Sequence, residues 1–295
     1  MTEQTTIGFI GLGIMGKPAA KNLVDDGYDL IVNDIDDEAV QDLEEYGATS
    51  VETAAAVAAE SDVVITFLPE GKHVRQVALG EEGIIEGAED GLVYIDMSTI
   101  GPTTIREVAA ELESVGVTTI DAPVSGSEKG AKEAWMRIMI GGDEDTVEEY
   151  RDLFEVMGGQ VTWIGDTGAG QVAKVGNNMI VASSLVGLSE ALVLAEKAEV
   201  SQERLVEAIS GGAAQSWALD SRAEGMINGE YEPGFFGKYH YKDLRIAVQD
   251  GEEFGAPMPL TAINHELFKS LVEKERGDLD TSAILTVLED MAGLD

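Results

Sequence analysis

The sequence predicts an α/β domain built on a mostly parallel sheet, followed by an all-α domain that contains a long buried helix. Two observations lead to this fold class. Short continuous apolar runs alternate with amphipathic segments through the first 165 residues, a pattern typical of parallel strands with helices on both faces. Beyond residue 165 the apolar residues recur only at helical spacing. We therefore expect two domains, at residues 1–165 and 166–295.

The predicted strands are short apolar runs bounded by polar or small residues. They span residues 5–11, 29–34, 62–69, 92–98, 118–124, 136–140 and 161–164. Between them, helical spacing is clearest at residues 15–26, 103–115 and 145–157. The second domain is predicted to hold helices at residues 171–198, 202–209, 216–226, 241–253, 259–274 and 281–291. The first of these is nearly free of charge from 175 to 194, which predicts burial on most of its sides.

Composition restricts the class of partner. Asp and Glu number 56 against 19 Lys and Arg, which gives a net charge of −37, while 44% of the residues are hydrophobic. Such a chain can fold, but its surface repels nucleic-acid phosphates and anionic lipids, so we expect neither partner. The excess of acid is typical of proteins that work in molar salt, where a short Debye length removes self-repulsion. We therefore predict a halophilic source.

Several classes of site and location are not expected. The chain has no cysteine, and its three histidines are isolated in the sequence, so we predict no disulfide and no metal centre. No uncharged apolar stretch reaches the roughly 18 residues that a membrane-spanning helix needs. The N-terminus lacks the basic region of a signal peptide. The resulting expectation is a cytoplasmic protein.

A glycine pattern directly after the first predicted strand indicates a dinucleotide site. Gly11, Gly13 and Gly16 form G-x-G-x-x-G, which permits a tight turn and lets the backbone approach a pyrophosphate at a helix N-terminus. Asp34 ends the second predicted strand, where a carboxylate can accept hydrogen bonds from both ribose hydroxyls. No arginine follows at residues 35–37, which favours NAD over NADP. A glycine-rich turn with a helix-capping Asp34 is the alternative.

The start of the long apolar helix carries a candidate catalytic pair. Lys174 and Asn178 are four residues apart and therefore share one face of the helix. A lysine is costly to bury on an apolar helix unless it has a partner or a function. Desolvation lowers the pKa of a lysine, which suits it to proton transfer near neutral pH. Asn178 is expected to hold a substrate hydroxyl or to orient Lys174. The alternative is that Lys174 extends to the surface from the first turns.

A polar loop follows the predicted strand that ends near residue 124. Ser125, Gly126 and Ser127 offer hydroxyls and backbone N–H groups at the carboxyl end of that strand, where open α/β sheets bind their ligands. These groups can hold a carboxylate, so we expect a small anionic substrate. An ordinary turn between a strand and a loop is the alternative.

Four segments, taken in order, resemble the β-hydroxyacid dehydrogenase family: residues 8–16, 121–126, 168–178 and 242–244. The resemblance covers nearly the whole chain. It implies a Rossmann-type domain and an NAD-dependent interconversion of a short β-hydroxyacid and its semialdehyde. Segments 77–87 and 257–262 are more similar to the tartronate semialdehyde reductase branch than to the 3-hydroxyisobutyrate dehydrogenase branch. We therefore expect reduction of tartronate semialdehyde to glycerate, with the 3-hydroxyisobutyrate reaction as the alternative.

The resemblance also implies roles for single residues. Lys174 matches the catalytic lysine, Ser125 and Gly126 match positions that bind the substrate carboxylate, and Asn178 matches a substrate contact. Ser127 is included because it follows them in the same loop. The predicted cofactor-binding residues are Gly11, Gly13, Ile14, Met15, Gly16, Asn33, Asp34, Leu68, Pro69, Thr99 and Lys242.

The chain departs from the family pattern at two places beside the expected substrate pocket. Ser127 replaces the second glycine of the usual S-G-G, and Ala134-Trp135 replaces a small Gly-Thr pair. The apolar helix that follows Lys174 further suggests a subunit interface, in a homodimer or homotetramer.

Three other functions fit the sequence less well. An imine reductase would generally replace Lys174, a 6-phosphogluconate dehydrogenase would need an arginine cluster, and a non-catalytic NAD-binding module would be expected to lose the lysine.

Overall fold

The computed structural model describes residues 5–294. The chain divides into two compact units, the first ending at Lys174 and the second beginning at Val175. This division falls inside a helix, whereas the sequence analysis places the domain boundary after residue 165, where the last strand ends. Each unit is described below by itself.

The first unit alternates strands and helices. Its strands are β1 (Thr6–Ile10), β2 (Asp29–Asn33), β3 (Thr49–Ser50), β4 (Val63–Thr66), β5 (Val93–Asp96), β6 (Thr118–Asp121), β7 (Val124–Ser125), β8 (Arg137–Gly141) and β9 (Gln160–Gly165). Its helices are α1 (Gly16–Asp25), α2 (Asp37–Tyr46), α3 (Ala54–Ala59), α4 (Gly71–Leu79), α5 (Ile84–Gly87), α6 (Pro102–Glu113), α7 (Ser127–Lys132), α8 (Glu144–Glu149) and α9 (Arg151–Met157).

The strands form one twisted sheet with the order β3-β2-β1-β4-β5-β6-β8-β7, and β9 pairs with β8. All pairs from β3 to β6 are parallel, while β8 runs antiparallel to β6 and β7. The order 3-2-1-4-5-6 is that of a dinucleotide-binding Rossmann sheet. The predicted fold class, a mostly parallel sheet followed by a helical region, is confirmed.

Alternate strand residues enter two apolar cores, one on each face of the sheet. Ile7 and Phe9 lie in one core together with Leu23 of α1, while Ile10 lies in the other together with Val108 of α6. A strand buried on both faces has no polar side, which is why the sequence shows continuous apolar runs rather than alternation.

The second unit is helical. It contains α10 (Ala169–Lys197), which begins in the first unit, α11 (Gln202–Ile209), α12 (Trp217–Asn228), α13 (Gly237–Glu253), α14 (Pro259–Glu273), a 3₁₀ turn (Thr281–Ala283) and α15 (Ile284–Ala292). Its core combines side chains of α10, α12, α13, α14 and α15, including Leu185, Leu244 and Phe268.

Three predicted elements differ from the structure. The helix predicted at 145–157 is two helices, α8 and α9, separated at Tyr150. The strand predicted at 118–124 is also two, β6 and β7, because Ala122 and Pro123 interrupt it. The helix predicted at 281–291 begins as a 3₁₀ turn whose N-terminus is capped by Asp280. In each case the apolar pattern is right and the break is local.

The prediction that α10 is buried on most of its sides is correct for only part of the helix. Ala182, Leu185 and Leu192 are fully buried in the core of the second unit. Ile180 and Leu194, however, are 70% and 69% exposed. Single apolar side chains of the helix, at Ile180 and Leu194, therefore stay exposed in the single chain.

The same helix changes the expectation about membrane spans. By length and composition alone, α10 would suffice to cross a bilayer, although the sequence analysis expects no such segment. About half of its most apolar 18-residue window, 44%, is buried inside the protein. The core helix of a soluble protein passes the same test, so the finding is weak evidence for a span.

Candidate active site

The glycine loop after β1 has two glycines that packing requires and one that it does not. Gly11 has φ +99°, and a Cβ there would lie 2.4 Å from the carbonyl oxygen of Phe67. A Cβ on Gly16 would lie 2.0 Å from the carbonyl oxygen of Gly11. Among residues 5–294, a Cβ on Gly13 would meet no atom within 4 Å apart from those of its two chain neighbours. The space beside Gly13 is therefore open at the position where a pyrophosphate is expected to approach the backbone.

Asp34, just beyond the end of β2, faces this loop. One of its carboxylate oxygens accepts the N–H of Leu12 at 2.5 Å, and the other accepts the N–H of Asp36 at 2.8 Å. Each oxygen can accept one further donor, so ribose hydroxyls fit this carboxylate. The carboxamide of Asn33, by contrast, donates to the carbonyl of Val51 at 2.8 Å and ties β2 to β3.

The loops after β4 and β5 are joined by a buried hydroxyl. Ser98 Oγ accepts the N–H of Leu68 at 2.8 Å and donates to Asp96 Oδ1 at 2.6 Å. Asp96 Oδ1 also accepts the hydroxyl of Thr66 at 2.8 Å. Because β1 and β4 are neighbours at the switch of strand order, the glycine loop and the Leu68 segment share the edge where such sheets bind ligands.

Asp121 holds the start of α10. Its Oδ1 accepts the N–H of Gly168 at 2.6 Å, and its Oδ2 accepts the N–H of Gln171 at 2.8 Å. It does for the first helical turn what an N-cap side chain does, although it comes from a distant strand. Burial raises the pKa of Asp121 to about 7, against the opposing effect of the two N–H groups, and the charge of Asp96 adds to the rise.

Gln171 bonds the same turn of α10 to the loop after β5. Its Oε1 accepts the N–H of Ile100 at 3.1 Å, and its Nε2 donates to the carbonyl of Ser98 at 2.8 Å. Local sequence patterns predict no role for Asp121 or Gln171. Both lie in the segments that carry the family resemblance, which is the one signal that could have singled them out.

Lys174 lies one helical turn after Gly170 and three residues after Gln171. It is only 8% exposed, so a lysine extended into solvent does not describe it. A buried ammonium is a strong donor to a developing negative charge because water does not compete with it.

The predicted substrate segment, Ser125 to Ser127, spans the end of β7 and the start of α7. Ser125 and Gly126 are half-buried, and Ser127 is exposed with the left-handed φ of +57°. The left-handed conformation explains why a glycine suits the position of Ser127, since a side chain there is strained. The ring of Trp135 lies against this loop, 3.5 Å from the Cβ position of Gly126 and 3.1 Å from that of Gly130.

The second unit gathers a separate polar cluster. Asn178 Nδ2 donates to Asp243 Oδ2 at 2.6 Å, and Lys242 Nζ lies 3.1 Å from Asp243 Oδ1. The imidazole of His240 contacts the carbonyl of Asn178 at 3.0 Å and the hydroxyl of Thr281 at 2.5 Å. Asp243 thus joins two predicted site residues, Asn178 and Lys242, and His240 supports the helix beneath them.

Comparisons with known proteins agree with this fold. The family model for the NAD binding domain of 6-phosphogluconate dehydrogenase matches residues 6–165, and the model for NAD-binding of NADP-dependent 3-hydroxyisobutyrate dehydrogenase matches residues 168–288. The chain is 40% identical to 2-hydroxy-3-oxopropionate reductase of Escherichia coli (strain K12), over 97% of this chain and 98% of that protein. It is 35% identical to 2-(hydroxymethyl)glutarate dehydrogenase of Eubacterium barkeri, over 100% of this chain and 98% of that protein.

A solved structure of Mycobacterium tuberculosis 3-hydroxyisobutyrate dehydrogenase with L-serine matches with a TM-score of 0.91 and 37% identity, over 97% of this chain and 99% of that one. The fold, the glycine loop and these matches define a nicotinamide-dependent oxidoreductase that acts on a CH–OH group. The chain belongs to the β-hydroxyacid dehydrogenase family.

Proposed function

We propose that the chain reduces tartronate semialdehyde to glycerate with NADH, with the interconversion of methylmalonate semialdehyde and 3-hydroxyisobutyrate as the alternative. The observation that carries the redox role is the burial of Lys174 on a helix whose first turn is bonded to the loop around Thr99. The substrate is supported by the 40% identity with a 2-hydroxy-3-oxopropionate reductase, which is named for the same semialdehyde.

Lys174 is the proton donor in reduction and the proton acceptor in oxidation. A nicotinamide cofactor held at the glycine loop and Asp34 would supply the hydride chemistry at the aldehyde carbon. Protonated Lys174 donates its proton to the carbonyl oxygen, which becomes the alcohol; in the opposite direction the neutral amine removes the hydroxyl proton. Ser125 and Gly126 hold the carboxylate through a hydroxyl and a backbone N–H, which fixes the carbonyl group for attack. Asn178 contacts the substrate.

The preference for NAD rests on Asp34. A 2′-phosphate would meet its negative charge, whereas the ribose hydroxyls of NAD can donate to its oxygens. Its neighbours Ile35, Asp36 and Asp37 offer no positive charge.

Trp135 narrows the expected substrate loop. It stands, with Ala134, where the family usually has a small Gly-Thr pair, and its ring packs against Gly126 and Gly130. The two candidate semialdehydes carry a hydroxyl or a methyl group of similar size on the same carbon, so a hydrogen-bonding partner, rather than bulk, must distinguish them. A site built to bond that hydroxyl would discriminate strongly, by up to about 10⁴-fold, against a methyl analogue.

The decisive measurement is NADH oxidation with a panel of three- and four-carbon semialdehydes in molar KCl, repeated with NADPH. We expect the highest kcat/KM with tartronate semialdehyde and NADH. A higher value with methylmalonate semialdehyde would favour the alternative.

Lys174→Ala tests the catalytic role. General acid–base catalysis contributes about 10²–10⁴-fold, so kcat should fall by that factor while NADH binding is kept. Lys197→Ala, an exposed lysine at the end of the same helix, is the matched control. Full activity of Lys174→Ala would remove the lysine from the mechanism.

The second unit is proposed as the subunit interface of a homodimer or homotetramer. Ile180 of α10 and Leu260 and Ile263 of α14 are each more than half exposed, and large exposed apolar patches mark interfaces. Light scattering in molar KCl should give two or four subunits, and a monomer at all concentrations would contradict this.

A further inference from the structure

Gln171 is fully buried, and both ends of its carboxamide are bonded to one loop. The N–H of Ile100 donates to Oε1 at 3.1 Å, and Nε2 donates to the carbonyl of Ser98 at 2.8 Å. These two backbone groups flank Thr99, a predicted cofactor contact. A carboxamide that uses both ends on the same loop fixes the distance and the direction of that loop from the helix.

The loop is in turn joined to the segment after β4. Ser98 Oγ accepts the N–H of Leu68 at 2.8 Å and is held by Asp96 at 2.6 Å. By the family resemblance, Leu68 and Thr99 match cofactor-contacting positions along the nicotinamide ribose. Gln171 therefore connects the helix of Lys174 to the two segments expected beside the reactive half of the cofactor.

The backbone of Gln171 is itself fixed from the other side. Asp121 accepts its N–H at 2.8 Å together with that of Gly168 at 2.6 Å. A Cβ on Gly170 would lie 2.3 Å from the carbonyl oxygen of Met139, so the helix start lies against the sheet without spare room. The turn cannot slide to compensate for a lost side chain at Gln171.

We propose that Gln171 is a positioning residue that sets the location of Lys174 relative to the cofactor loop at Thr99. The proposal rests on the catalytic role proposed for Lys174. Hydride and proton must reach the carbon and the oxygen of one carbonyl group, and a displacement of about 1 Å can lower the rate by about 10²-fold. The side chain that spans the helix and the loop controls that displacement.

The test uses Gln171→Met, which removes both hydrogen bonds at similar side-chain length, and Gln171→Glu, which keeps the acceptor for Ile100 but loses the donor to Ser98. Gln202→Met is the matched control, because Gln202 also bonds a backbone carbonyl, that of Leu192 at 3.1 Å, in the second unit.

For each variant, kcat and KM are measured with the best semialdehyde of the panel, using NADH and NADH deuterated at C4. The NADH dissociation constant follows from fluorescence titration, and hydrogen exchange reports the protection of the Ile100 amide.

For Gln171→Met we expect kcat to fall about 10–100-fold, the deuterium isotope effect on kcat to rise, and the Ile100 amide to exchange faster. The NADH dissociation constant should change by less than about threefold, as expected for an effect on the reacting geometry rather than on binding. Gln171→Glu sets a second oxygen against the buried carbonyl of Ser98, so its kcat should fall at least as far as that of Gln171→Met, whereas Gln202→Met should keep kcat.

A purely structural glutamine would lower Tm in Gln171→Met and leave kcat and the isotope effect unchanged, which would overturn the proposal. If Gln171→Met does not fold, the same decision rests on Gln171→Glu, where unchanged kcat and isotope effect have the same meaning. The two proposals fail in different ways. If Lys174→Ala stays active, the catalytic role of Lys174 is wrong. If Lys174→Ala is inactive while the Gln171 variants have normal kcat, only the positioning role of Gln171 is wrong.

Discussion

The two units hold their site residues by different chemistry. In the first unit, buried side chains bond backbone groups: Asp121 accepts two N–H groups of α10, and Gln171 spans the loop after β5. In the second unit, side chains bond one another, with Asn178 and Lys242 meeting at Asp243. Side chains that bond the backbone hold the chain in one conformation, whereas the cluster at Asp243 pairs opposite charges. The stability of the first unit should therefore change with added side-chain bulk and with protonation of Asp121, and that of the second unit with removal of a charge.

The largest expected effect separates two glycines of the same loop. Gly16→Ala places a Cβ 2.0 Å from the carbonyl oxygen of Gly11, which should lower the free energy of unfolding by about 4 kcal/mol or more. Gly13→Ala meets no atom of residues 5–294 beyond its two chain neighbours and should change it by less than about 1 kcal/mol, while weakening NADH binding. Thermal unfolding and NADH titration measure the pair. Equal losses of stability would contradict the steric distinction.

Removing the charge at Asp243 should be the next largest effect. Lys242 and Asp243 are 13% and 4% exposed in their side chains, so Asp243→Ala leaves a mostly buried ammonium without this carboxylate. Breaking such a pair costs about 3–5 kcal/mol, measured by urea unfolding. Asp278→Ala, which removes the exposed partner of Lys238, is the control and should cost less than about 1 kcal/mol.

Asp121 should give the protein a dependence of stability on pH. Because its pKa is raised to about 7 from 3.8, the folded chain keeps a proton that the unfolded chain has released in this range. Stability from this group is therefore highest at low pH and falls as pH rises to about 7. Compared with Asp121→Asn, the unmodified protein should lose up to about 1.4 kcal/mol per pH unit between pH 5 and 7.

Unfolding curves of the two proteins at pH 5, 6, 7 and 8 provide this comparison. Parallel profiles would show that the carboxyl group of Asp121 does not titrate there. Asp121→Ala, which leaves two buried N–H groups without an acceptor, should instead lose about 2–4 kcal/mol at every pH.

The smallest effect concerns cofactor choice. Asp34→Ala removes the charge that opposes a 2′-phosphate, so the ratio of kcat/KM for NADH over NADPH should fall by about tenfold or more, equivalent to about 1.4 kcal/mol. Asp37→Ala is the nearby control and should leave the ratio within about twofold. An unchanged ratio in Asp34→Ala would place the choice with another group.

The sequence is sufficient to predict features that depend on local spacing. The glycine loop and most of the apolar strands are encoded within a few residues and lie where the sequence predicts them, although β3 was not predicted and the strand predicted at 118–124 is divided. The hydrogen bonds of Gln171 and Asp121 are not encoded locally. Gln171 bonds groups 71 and 73 residues away, and Asp121 bonds groups 47 and 50 residues away. Local spacing does not reveal such pairs, and their hydrogen bonds become visible once the sheet order is known.

The exposure of single apolar side chains on α10 could not be predicted for a different reason. Periodicity shows that a helix is apolar on several sides, but it does not show whether each side finds a neighbour within the same chain. Ile180 and Leu194 follow the same pattern as the buried Leu185, and yet they are exposed.

The crowded seam between β8 and the start of α10 has a consequence for how this enzyme can diversify. A Cβ at Gly141 would lie 2.4 Å from a carboxylate oxygen of Asp121, and one at Gly170 would lie 2.3 Å from a backbone oxygen. Neither position can accept a side chain without moving the helix that carries Lys174. Under the proposed function, a change of substrate is therefore expected to come from substitutions in the exposed loop around Ser127 and Trp135, where the chain already departs from its family, and not from the two glycines of the seam.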